Sequence, residues 1–246
     1  VSVVLQRAAE EGVVMCVILA VHQGLPTRAE LMAAERANRD GAGVAWLKGG
    51  AVHWRKGLTG EEVACLIEDG RVRAPALIHF RIATVGGALP ALTHPFPVTR
   101  TSPLDLEGTA PAVLAHNGHW GGWRSAVIGM RDRGHEAPGG AWSDSRAMAW
   151  AAGVYGHHIL DFIAPGQRIA TLTVRGLKLY GYWKRQGGIS YSNRNFADRC
   201  EYEFAPAAGE GEQGTFATPR GYVWIGGRLV RADRLFPRSG QAEGGA

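Results

Sequence analysis

Val13-Val14-Met15-Cys16-Val17-Ile18-Leu19-Ala20-Val21 is the stretch on which the fold turns. It is a continuous apolar run dominated by β-branched residues, which predicts a strand buried on both faces, with a cysteine near its start. At nine residues it is far short of the roughly 20 that a membrane-spanning helix needs. The residues before it resemble a secretory signal only superficially. Glu10 and Glu11 precede the apolar run and no small-x-small cleavage site follows it, so a cytoplasmic protein is expected.

Outward from this strand, Thr27-Arg28-Ala29-Glu30 is a capping box that opens a helix reaching about Ala37. Asn38-Arg39-Asp40-Gly41-Ala42-Gly43 ends it in a tight turn, since Asn, Asp and Gly tolerate left-handed backbone. Val44–Leu47 and Ala51–Arg55 flank Gly49-Gly50 as a hairpin. Thr59-Gly60-Glu61-Glu62 is a second capping box, opening a helix that places Val63, Leu66 and Ile67 on one face and Cys65 in the core. Two more apolar runs, Ala76–Ala83 and Ala112–Ala115, read as strands that deliver the polar clusters His79-Phe80-Arg81 and His116-Asn117-Gly118. Residues 86–111, rich in Pro, Thr and Gly, are expected to form a long loop. A helix over Trp123–Arg133 follows, then a long helical stretch over Arg146–Ile163 with Ser143 as its N-cap. The C-terminal part reads as strands at Arg168–Val174, Lys178–Lys184 and Ile189–Ser192, and a hairpin at Gly226-Gly227. Strands in adjacent antiparallel groups with helices inserted in pairs make an α+β protein.

The chain of 246 residues carries a net charge of +5, from 23 Arg and 4 Lys set against 22 acidic residues. The arginines are scattered singly and form no stripe, so nucleic acid is not the expected partner. Three cysteines, Cys16, Cys65 and Cys200, with no Cys-x-x-Cys pair, fit neither a disulfide framework nor a zinc ribbon. Gly209-Glu210-Gly211-Glu212-Gln213-Gly214 has the spacing of a dinucleotide-binding loop, but no strand leads in and no helix leads out, so it reads as an acidic linker. Taken alone, Cys16 is more often a small core hydrophobe than a nucleophile.

Its company changes that reading. In chain order come Met15-Cys16, Asn38-Arg39-Asp40-Gly41-Ala42-Gly43, His79-Phe80-Arg81-Ile82-Ala83-Thr84, Thr93-His94-Pro95-Phe96, His116-Asn117-Gly118 and Ser143-Asp144-Ser145. This series, over residues 15–200, resembles the glutaminase domain of class II glutamine amidotransferases, in the N-terminal nucleophile hydrolase superfamily. The His-Phe-Arg-Ile-Ala-Thr and His-Pro-Phe forms look most like small stand-alone members found in phages and bacteria. The resemblance implies a four-layer αββα sandwich and an N-terminal cysteine nucleophile, at Cys16, whose own α-amino group is the base. Attack on the side-chain amide of glutamine would give a γ-glutamyl thioester and ammonia. Asn117 and the Gly118 backbone N–H match the oxyanion donors. Arg81 matches the arginine that forks onto the substrate α-carboxylate, Asp144 the carboxylate that receives the α-ammonium, and Thr84 the family's threonine near the ligand. His79, His94 and His116 would either fix backbone or loop geometry or act in catalysis, and Asn38 and Asp40 would be supporting residues. No cofactor and no metal is implied.

The family usually has Gly after the cysteine, where this chain has Val17. Residues 1–15 read as a propeptide or a mis-assigned start, because an acylated Cys16 nitrogen has no basic lone pair. Residues 16–205 read as the glutaminase domain, and residues 206–246 as an acidic linker with a β-hairpin extension. Those last residues are too few for a synthetase, so ammonia is expected to pass to a separate synthetase or ligase. The alternatives are a hydrolase of another γ-glutamyl amide and a non-catalytic module that retains the fold.

Overall fold

The computed structural model describes residues 16–82 and 88–196, together with the backbone of 222–225 and 228–231. By its contacts the chain divides into two compact units, Val1–Arg199 and Cys200–Ala246.

In the first unit the strands are β1 (Val17–Val21), β2 (Ala42–Lys48), β3 (Ala51–Leu58), β4 (Ala76–Phe80), β5 (Phe96–Pro97), β6 (Glu107–Ala110), β7 (Ala112–Asn117), β8 (Arg168–Thr173), β9 (Gly176–Tyr180), β10 (Lys184–Gln186) and β11 (Ile189–Tyr191). The α-helices are α1 (Arg28–Ala37), α2 (Gly60–Glu68), α3 (Trp123–Asp132), α4 (Asp144–Tyr155) and α5 (Ile159–Ile163). One sheet has the order β10-β11-β1-β4-β2-β3-β6 and the other β5-β7-β8-β9. All the pairings are antiparallel. The protein is therefore α+β with antiparallel sheets.

All five residues of β1 are fully buried, as a continuous apolar run requires. Its neighbours are β4, in the register Leu19↔Ile78, and β11, in the register Leu19↔Tyr191. The period of two sends Ile18 and Ala20 to the face that meets the second sheet. There they share one apolar cluster with Leu77, Ala45 and Trp54 of their own sheet and with Val113, Ala115, Ala170 and Leu172 of the other. The two sheets thus pack face to face. The opposite face of the second sheet, through Leu114 and Ile169, packs on Met148, Ala149 and Ala152 of α4 and Leu160 of α5. Helices α1 and α2 pack on each other, and α2 packs on β2. Both capping boxes form, at Thr27 with Glu30 and at Thr59 with Glu62, satisfying the free donors of each first turn.

Several expectations are corrected. The helical stretch over 146–163 is two helices, because Gly156 at φ +92° ends α4 and a new turn starts α5. Residues 86–111 are not a single loop, for their described part contains a 3₁₀ turn at Pro90–Leu92 and the strands β5 and β6. The strand expected over Lys178–Lys184 is split between β9 and β10. Gly181 turns the chain at φ +84°, where an added Cβ would overlap the Gln167 carbonyl oxygen. Cys65 is exposed on α2, its thiol 3.9 Å from Glu61 Oε1, and is no core residue. The strand from Ala76 ends at Phe80, while Val13, Val14 and Ala83 lie outside the described residues.

In the second unit, β12 (Tyr222–Ile225) and β13 (Arg228–Arg231) form an antiparallel pair in the register Ile225↔Arg228. The acidic segment 209–214 lies outside the described residues. Among the described residues no helix is long and apolar enough to cross a membrane.

Candidate active site

Cys16 precedes β1, and the antiparallel partner β4 brings Arg81 and Ile82 alongside it. The thiol is gripped by one residue's backbone: Cys16 Sγ donates to Ile82 O at 3.3 Å, and Ile82 N donates to Cys16 Sγ at 3.2 Å. Burial pushes the thiol pKa up. The Ile82 amide and the Arg81 charge pull it back, and the Asp144 charge pushes it up further.

The Cys16 carbonyl accepts hydrogen bonds from two side-chain amides, Asn117 Nδ2 at the end of β7 and Asn193 Nδ2 at 2.7 Å. Asn117 Nδ2 also donates to Ser192 Oγ at 2.9 Å. Ser192 in turn accepts from Ile18 N at 2.9 Å and donates its own N–H to Ile18 O, which pins the segment after β11 along the start of β1. Gly118 follows at φ +151°, where an added Cβ would overlap Gln167 Oε1. Only glycine fits there.

His116, also on β7, is buried, and burial lowers its pKa while Asp144 and Gln167 act against the shift. Its Nε2 lies 2.8 Å from Gln167 Oε1 and its Nδ1 3.0 Å from Ser145 Oγ. Gln167 Nε2 donates to His119 O at 3.0 Å, which orients the amide with Oε1 towards the ring. Nε2 of His116 is therefore the protonated nitrogen, and Nδ1 accepts from Ser145.

Asp144, the first residue of α4, is buried, with Oδ2 accepting from Trp120 N at 3.0 Å and Oδ1 from Ser145 N at 2.9 Å. Arg81 is also buried, and its Nη1 reaches Leu89 O at 3.5 Å. Burial lowers the Arg81 pKa, against the opposing influence of Cys16, Asp40 and Asp144. A guanidinium and a carboxylate thus both act electrostatically on the same thiol.

The other expected residues have structural places. Asn38 caps α1, its Nδ2 donating to Ala34 O at 3.0 Å. Asp40 N donates to Arg81 O and Arg81 N to Gly41 O, so the turn after α1 is bonded to the backbone of Arg81. The rings of His79 and His94 lie against each other, tilted by 42° with centroids 4.0 Å apart, and burial holds both well below the ordinary histidine range, hence neutral. His94 Nδ1 accepts from His116 N at 3.4 Å. Thr84 lies outside the described residues. Ser192, Asn193 and Gln167 were not expected. The first two had a usable signal, a polar cluster delivered by an apolar strand as at His116-Asn117; Gln167, in a turn, had none. Among the described residues no group of three or more His, Cys, Asp or Glu is placed to hold a metal ion.

No protein-family model matches the chain, and no curated protein matches it. Among solved structures it is similar to glutamine phosphoribosylpyrophosphate amidotransferase from B. subtilis, complexed with ADP and GMP. The identity is 16% and the TM-score 0.49, over 72% of this chain and 41% of that one.

Proposed function

We propose that the protein is a glutaminase of the class II amidotransferase type, with Cys16 as nucleophile and a four-layer αββα sandwich as its frame. The observation that carries this is the Cys16 cluster. A strand-start thiol accepts a backbone N–H, its own residue is bound by the Asn117 amide, and a buried cation and a buried anion act on it.

In this reading the Cys16 α-amine takes the thiol proton, and Sγ attacks the δ-carbon of glutamine. The oxyanion competes with the Cys16 carbonyl for one Asn117 N–H and takes the Gly118 N–H as its second donor. Collapse breaks the C–N bond, the α-ammonium returns the proton to the leaving nitrogen, and ammonia departs. Water then hydrolyses the γ-glutamyl thioester to glutamate. Arg81 and Asp144 read the carboxylate and ammonium of the substrate. Ammonia passes to a separate acceptor enzyme.

The α-amine exists only once the Met15–Cys16 bond is opened. A free α-amine, with a pKa of about 7.7 to 8.0, can exchange a proton with a thiol near neutral pH, whereas an amide nitrogen cannot. The test pairs intact mass with ammonia release from glutamine for two versions of the chain, one beginning at Val1 and one at Met15. The Met15 version is expected to lose its methionine and turn over glutamine. The Val1 version is expected to be silent unless its mass shows that all fifteen residues are gone. Turnover by uncleaved Val1 protein would overturn the mechanism.

A further inference from the structure

Arg146, in the first turn of α4, is a buried cation held only by neutral groups. Its Nε donates to Ser102 O at 2.9 Å, its Nη1 donates to Ala141 O at 2.7 Å, and its guanidinium lies 5.1 Å from the Trp142 ring. Among the described residues no carboxylate pairs with it. A second buried cation lies within electrostatic reach, for Lys56 Nζ has no hydrogen-bond partner and feels Arg146 as a repelling charge. A buried guanidinium with no carboxylate partner and a second basic group nearby is costly unless an anion joins it.

Arg146 also lines an open cleft of about 580 Å³, which shares no residue with the Cys16 cluster. The floor is one face of α4, with Arg146, Trp150 and Val154 at intervals of four residues, and the lips carry Arg100 and Leu104 on one side and His135 on the other. Gly153 lets the Thr99 backbone lie directly on α4, so the 99–104 lip is clamped there and again at Ser102 by Arg146. Ser102 sits at φ +34°, a conformation that costs a non-glycine residue energy. Its hydroxyl and the indole N–H of Trp150 are buried donors without partners. In the lining, two guanidinium groups stand against one carboxylate, Glu136.

We propose that this cleft is a second ligand site, for a phosphate monoester carried on a small apolar or aromatic body. The phosphate would meet Arg146 and Arg100, and the body would lie against Leu104 and Val154. Because two of the Arg146 N–H groups are committed to backbone carbonyls, the plane of the guanidinium is fixed for a forked contact with an oxyanion. Two arginines against one carboxylate suit a dianion better than a carboxylate, and the volume falls within the range of small-molecule sites.

The probe is phenyl phosphate, titrated into the full chain by calorimetry and by tryptophan fluorescence. Saturable one-to-one binding is expected, with inorganic phosphate, phenol and benzoate each at least tenfold weaker. Arg100→Glu, at an exposed rim position, and Leu104→Trp, which fills the cleft, should each weaken phenyl phosphate at least tenfold while leaving the far-ultraviolet spectrum and thermal midpoint unchanged. No saturation up to about 10 mM, where binding would contribute under about 3 kcal/mol, overturns the site. So does binding indifferent to both substitutions in folded protein. Equal affinity for inorganic phosphate overturns the apolar half of the assignment. Binding is read directly, so the result stands apart from whether Cys16 hydrolyses glutamine.

Discussion

Cys16 is set between opposing influences, and each can be removed separately. The Arg81 cation favours the thiolate and the Asp144 anion disfavours it. The rate of alkylation by iodoacetamide as a function of pH reports the thiolate fraction. Arg81→Gln should move the midpoint up and Asp144→Asn should move it down. Midpoints that move together, or not at all, would mean that neither charge acts on the thiol. In turnover, Cys16→Ala should be inert, whereas Cys65→Ala, at an exposed position on α2, should keep wild-type activity. Asn117→Ala should lower kcat roughly 100-fold with a smaller change in KM, as expected for an oxyanion donor. A change confined to KM would make Asn117 a ground-state contact. At this scale the sequence was readable where residues arrive in clusters at strand ends, as His79, Arg81, His116 and Asn117 do. It was unreadable where a contact depends on two distant segments meeting, as in the Gln167–His116 bond across 51 residues.

The first turn of helix α4 carries Asp144 and Ser145 to the Cys16 cluster, and one face of the same helix, from Arg146 to Val154, floors the cleft. Every residue from Asp144 to Ala152 is buried, so apolar residues fall on all sides and the helical period is blurred. That is why the stretch over 146–163 read as one long helix, although Gly156 was there to end it. The capping boxes of α1 and α2, by contrast, are local chemistry and were legible to the residue. Close packing of α4 depends on Gly153, where an added Cβ would overlap the Thr99 backbone. Gly153→Ala gains helix propensity of about 1 kcal/mol but forces the 99–102 segment off the helix, an overpacking cost of about 1 to 3 kcal/mol. The net expectation is a lower urea midpoint with an unchanged m-value. A midpoint raised above wild type would mean that the segment yields without cost.

At the scale of the whole molecule, the packing of the two sheets buries a lysine. On β3 the inward positions run Val52, Trp54 and Lys56, all buried, before an irregularity in the register ahead of Leu58. Lysine at the third of these breaks the apolar alternation, which is why the strand read as ending at Arg55 when it continues to Leu58. The Lys56 ammonium lies 4.6 Å from the Phe96 ring centroid and 5.3 Å from that of Trp54, and Nζ has no hydrogen-bond partner. Burial, reinforced by Arg146 and opposed by Asp105, brings its pKa down to about 7. Between about 7 and the ordinary lysine value the unfolded chain holds a proton that the folded chain does not, so stability rises with pH across that window. Below it both states are protonated, and the folded state bears the full cost of a buried charge, on the order of a few kcal/mol. Lys56→Met keeps the length of the side chain and removes the charge. It should therefore raise stability most near pH 6, with an advantage that shrinks steadily towards pH 10. Urea denaturation of both proteins at pH 6, 8 and 10 measures this directly. An advantage that is constant with pH would show that packing alone distinguishes the two side chains, and a loss of stability at pH 6 would show that the ammonium is held by its two aromatic neighbours.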